Sequence, residues 1–77
     1  MKITDSPEEI QKFIQEQLAL VRKKKHLTQE SIAYLLKLSP KTISDIENNR
    51  RGISFKTFIK ICLILDINIK NIFKINE

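Results

Sequence analysis

The sequence predicts an all-α domain of five short helices around one core. Three observations carry that reading. Serines stand at helix starts at Ser6, Ser39 and Ser54, the first two followed at once by Pro7 and Pro40. Apolar residues recur at spacings of three and four, the helical period. One stretch from Ile67 alternates like a strand, but no partner strand is evident elsewhere, so it too is read as helix. With 77 residues, the chain is long enough for one domain, spanning 1–77, and too short for two.

The first helix opens on Ser6 and Pro7, with Glu9 completing an S-x-x-E capping box. Ile10, Phe13, Ile14, Leu18 and Val21 form its apolar stripe, and Arg22 to Lys25 crowd its last turn, where cations suit the helix dipole. Thr28 caps a second helix running to about Leu36, with Ile32, Ala33, Leu35 and Leu36 expected inward. Ser39 and Pro40 start a third, ending near Asn48, whose apolar residues are Ile43 and Ile46. So narrow an inner face implies a helix held for what its outer face does. Ser54 caps a fourth, with Phe55, Phe58, Ile59, Cys62 and Leu65 on one face. Asn68 caps a short fifth carrying Ile69, Ile72 and Phe73.

Composition removes several function classes. One cysteine, Cys62, permits no internal disulfide, and with one histidine, His26, it matches no usual zinc spacing. Cys62 is read as a small core residue and no cofactor or metal is expected. The N-terminus has no apolar run behind Lys2, so no secretory signal is expected. The longest apolar run, Ile61 to Leu65, is far short of the roughly 20 residues of a membrane helix. A reduced, cytoplasmic protein is the expectation. With neither a phosphate-cradling glycine loop nor convincing paired carboxylates, an enzyme is not expected. Fourteen Lys and Arg against nine Asp and Glu leave a net charge of +5, which favours a polyanionic partner.

The second and third helices are joined by only Lys37 to Ser39, and so short a connection sets them at a steep angle. Ala33, Leu38, Ile43 and Ile46 are spaced to pack that corner. The run Leu27-Thr28-Gln29-Glu30-Ser31-Ile32-Ala33, followed by Leu38-Ser39-Pro40-Lys41-Thr42-Ile43-Ser44-Asp45-Ile46-Glu47-Asn48, resembles the lambda-repressor-like, Cro-type helix-turn-helix regulators. The similarity extends back to Val21-Arg22-Lys23 and forward through Ser54 to Phe73. It implies the compact five-helix fold of that family, with its third helix entering the major groove of double-stranded DNA.

The resemblance also implies roles. Lys41, Ser44, Asp45 and Pro40 fall on the base-reading part of the third helix: Lys41 suits guanine, Asp45 suits cytosine N4, and Pro40 offers only apolar contact where many relatives carry a polar reader. Gln29, Ser39, Asn48, Arg50, Arg51 and Lys56 fall at backbone-contacting positions. Lys23, Lys24, Lys25, Lys70 and Lys74 are assigned to solvated surface. Arg22 and Glu47 occupy positions of a structural ion pair in similar proteins. Relatives place glycine after the second, third and fourth helices, where this chain has Lys37, Asn49 and Asp66; a left-handed Lys37 should cost about 1 kcal/mol.

One recognition helix reads too few base pairs to define a site, and family members usually dimerise on palindromes. The isoleucines Ile64, Ile67, Ile69, Ile72 and Ile75 are the expected homodimer surface. The function implied is a dimeric, sequence-specific transcription regulator, most simply a repressor. Two variants of that role stay open: an antitoxin that represses its own operon and binds a toxin protein, and a restriction–modification controller, which the Ile46 to Ser54 turn resembles.

Overall fold

The computed structural model describes residues 6–68. Four α-helices follow in order: α1 Pro7–Lys24, α2 Gln29–Leu36, α3 Pro40–Glu47 and α4 Phe55–Leu65. Each starts where a hydroxyl satisfies an otherwise unpaired backbone N–H. Ser6, Thr28, Ser39 and Ser54 accept from the amides of Glu9, Ser31, Thr42 and Thr57 respectively. The Ser6 hydroxyl also donates to the Glu8 carboxylate at 3.0 Å.

The helix ends share one device. His26, Lys37, Asn49 and Asp66 all take positive φ between 54° and 62°, the left-handed conformation that reverses the chain. At each, the next amide reaches back across the last turn: Leu27 to the Arg22 carbonyl, Leu38 to Ala33, Arg50 to Asp45, and Ile67 to Cys62. These are six-to-one bonds of the helix-terminating type usually built on glycine. The one glycine, Gly52, is used elsewhere: a Cβ there would fall 2.6 Å from the Gln11 amide nitrogen.

The core gathers Leu18 of α1, Ile32, Ala33 and Leu36 of α2, Ile43 of α3, and Phe58, Ile61, Cys62 and Leu65 of α4. Val21, Leu27, Leu38, Ile53, Ile64 and Ile67 close its edges. Ala33 sits at the α2–α3 corner, and its lack of a longer side chain is what lets α3 approach.

Several inward assignments are corrected. Leu35 is 55% exposed, because at roughly 100° per residue it lies about that far from the stripe that Ile32, Ala33 and Leu36 define. Phe55 is 75% exposed, since as the first helical residue it projects beyond the end of the core. Ile59 is also exposed, well off the Phe58, Ile61, Cys62 and Leu65 line. The five-helix count is corrected to four among the described residues. The fold is all-α, but α4 ends at Leu65, where Asp66 turns the chain so that Ile67 packs back on the core. The expected fifth helix, with Ile69, Ile72 and Phe73, lies outside the described residues, as does Ile75. No helix of the described residues is long and apolar enough to cross a membrane.

Candidate nucleic-acid interface

Recognition by a helix requires one face held rigidly and the opposite face left open. Helix α3 meets both conditions. Ile43 and Ile46 are buried, while Pro40, Lys41 and Asn48 are exposed and Ser44 is half-buried between them. At i, i+1, i+4 and i+8, those four residues lie on one outward stripe. Ser39, exposed at the N-cap, accepts the Thr42 amide.

Two sets of polar contacts fix α3 against α1. Arg22 and Glu47 meet in a two-pronged pair: Arg22 Nε donates to Glu47 Oε2 at 2.6 Å and Nη2 donates to Oε1 at 2.9 Å. Arg22 Nη1 donates to the Leu27 carbonyl, which ties the pair to the α1–α2 turn. Gln29 Nε2 donates to the same Glu47 Oε1 at 2.9 Å, so one carboxylate joins three helices. Burial pushes the Glu47 carboxyl up, but hydrogen bonds from Arg22 and Gln29 outweigh it and hold the group below its ordinary value. The bond to Glu47 raises Arg22, against the opposing effect of burial.

The second set centres on Gln15, which sequence reading missed. It is a polar residue only 1% exposed. Its Nε2 donates to the carbonyls of Ile46 at 2.6 Å and Arg51 at 3.0 Å, and its Oε1 accepts from the Ile53 amide at 3.0 Å. One side chain from α1 thereby closes the backbone groups of the loop that follows α3. A glutamine next to the stripe residue Ile14 reads as surface. Only the irregular backbone opposite it, 31 to 38 residues away, makes it core.

Lys41, Ser44, Asp45, Asn48 and Arg50 form one bonded group. Asp45 accepts from Lys41 Nζ and from Arg50 Nε, each at 3.0 Å. Asn48 Nδ2 donates to the Ser44 carbonyl, and Arg50 Nη2 reaches Ser44 Oγ at 3.5 Å. Hydrogen bonds from Lys41 and then Arg50 hold the Asp45 carboxyl below its usual range. The expectation that Asp45 faces solvent is corrected: it is buried, and both oxygens are engaged within the protein. The cations around it stay accessible, Lys41 most of all. Arg51 and Lys56 are exposed, the latter on the first turn of α4. Gln29 is half-buried, braced against Glu47. Ile64 and Ile67 are only partly exposed and lean on the core, whereas Leu63 and Leu35 stand open and line a cleft of about 300 Å³ with Ile64, Lys37 and Lys60. Burial raises the Cys62 thiol above its ordinary value, as befits a core residue.

A family model described as a helix-turn-helix domain matches residues 15–76, most of the chain. The chain belongs to the helix-turn-helix family. In this helix-turn-helix domain, α2 and α3 are the motif. The ImmF control region 10 kDa protein of Bacillus phage phi105 is 39% identical over 56 residues, covering 73% of this chain and 61% of that protein. Among solved structures, a point mutant of the restriction–modification controller protein C.Esp1396I is similar, with a TM-score of 0.75 and 28% identity over 84% of each chain.

Proposed function

We propose that this protein is a sequence-specific transcription regulator that binds double-stranded DNA as a homodimer and acts as a repressor. The observation that carries the reading is the outward α3 stripe, with Pro40, Lys41 and Asn48 exposed and Ser44 half-buried between them, while Ile43 and Ile46 anchor it from behind. Lys41 is the principal base reader, with Ser44 beside it and Pro40 offering contact to a thymine methyl. Gln29, Ser39, Asn48, Arg50, Arg51 and Lys56 set the pose through phosphates. The dimer forms along α4, where Leu63 and Ile64 adjoin Leu35. The likeness to a phage control-region protein and to a restriction–modification controller supports regulation of a small set of neighbouring genes.

Selection of bound duplexes from a random pool tests the proposal. A palindromic sequence should be enriched, with half-sites about one helical turn apart. Lys41→Ala should relax preference at one base pair of each half-site by about 1–3 kcal/mol. No enriched sequence, or unchanged preference in Lys41→Ala, would overturn it.

A further inference from the structure

We infer that Asp45 is a positioning residue that restrains Lys41 and Arg50, and so sets how far this protein prefers its own site over other DNA. The inference rests on the DNA-binding reading above. The Asp45 side chain is 10% exposed, whereas those of Lys41 and Arg50 are 84% and 60% exposed. Each cation takes a different oxygen of the one carboxylate, at 3.0 Å. The Asp45 carbonyl also accepts the backbone amides of Arg50 at 2.8 Å and Arg51 at 3.2 Å. A single residue therefore fixes two side chains and the start of the loop after α3.

That arrangement has a consequence for selectivity. DNA phosphates attract any exposed cation whatever the sequence, and this indifferent attraction dominates non-specific binding. Here a phosphate that draws Lys41 or Arg50 away must break an ion pair with the Asp45 carboxylate and leave that anion one cation fewer. A duplex whose groups meet the two cations where Asp45 holds them incurs no such loss. The carboxylate thus penalises loose contacts and leaves fitted ones intact, which discriminates by raising the competitor's energy.

Asp45→Asn keeps the shape and removes the charge. Fluorescence anisotropy would compare the selected duplex with a scrambled one across a salt series, after circular dichroism has confirmed folding. Scrambled-duplex affinity should rise about fivefold, the scale of one exposed ion pair, and its log–log salt slope should steepen by about one. In a Lys41→Gln, Arg50→Gln background, the same change should have no effect, because nothing is left to restrain. Loss of preference at a single base pair, with the scrambled duplex unaffected, would overturn the inference and return Asp45 to base reading. Two surface variants test the same point should Asp45→Asn not fold. Lys41→Gln should flatten the scrambled-duplex slope by well under one, whereas Arg51→Gln should flatten it by about one. Equal changes would also overturn it. If the wild-type chain binds neither duplex, it is the DNA-binding reading that fails.

Discussion

Arg50 is tied to Asp45 and Ser44, and Arg51 reaches solvent from the next position, so two adjacent arginines differ in what binds them. Removing Arg51 should weaken binding to every duplex alike, which a salt titration reads directly. Gln15 makes a different prediction. Gln15→Leu would fill the space but take the side-chain partner from the Arg51 carbonyl and the Ile53 amide, while the Ile46 carbonyl keeps the Asn49 amide, at about 2–4 kcal/mol. Urea unfolding followed by circular dichroism checks that value; a loss below 1 kcal/mol would mean that water replaces the amide. Lys41 and Arg50 stand exposed where the sequence reading put them, on α3 and just after it. The inward turn of Asp45 was not legible in the sequence, because it depends on a cation five residues ahead, contributed by the loop after the helix ends.

The helices were legible from their starts more than from their stripes. Every hydroxyl cap falls where the sequence puts it, since a cap depends on four consecutive residues. Inner faces depend on which few residues of a short helix meet its neighbours, so Leu35, turned off the α2 stripe, and Phe55, beyond the end of the core, read as core and stand outside it. The end of α2 offers a direct test. Lys37 sits at φ 57°, where a side chain costs about 1–2 kcal/mol that glycine would not bear. Lys37→Gly should therefore stabilise the domain by about 0.5–1 kcal/mol once the greater freedom of glycine in the unfolded chain is deducted. Thermal melts that show no gain would imply that the lysine side chain contributes a contact of comparable size.

For the molecule as a whole, acid sensitivity follows from its two central carboxylates. Glu47 and Asp45 both titrate below their ordinary values of 4.5 and 3.8 in the folded state. Groups depressed in this way contribute their full stability above the unfolded value and lose it as pH falls through the lower folded one. Stability should thus be level near neutrality and decline below about pH 4.5. Glu47→Gln should reduce stability at pH 7 by about 2 kcal/mol and flatten part of that decline. Chemical denaturation at a series of pH values reads both effects. Assembly belongs to this scale too: sedimentation at tens of micromolar should give a dimer, and Leu63→Lys should shift it towards monomer.

The Gln15 bridge carries one more consequence. Because α1 grips the same loop that presents Arg50 and Arg51, seating that loop on a phosphate backbone and docking α1 are linked equilibria. Linkage is reciprocal: what steadies the loop must steady α1 by the same free energy. Amides midway along α1, a helix that offers no side chain to DNA in the proposed complex, should exchange more slowly with solvent when DNA is bound. Breaking the Gln15 bridge should abolish that distant protection even where some affinity survives.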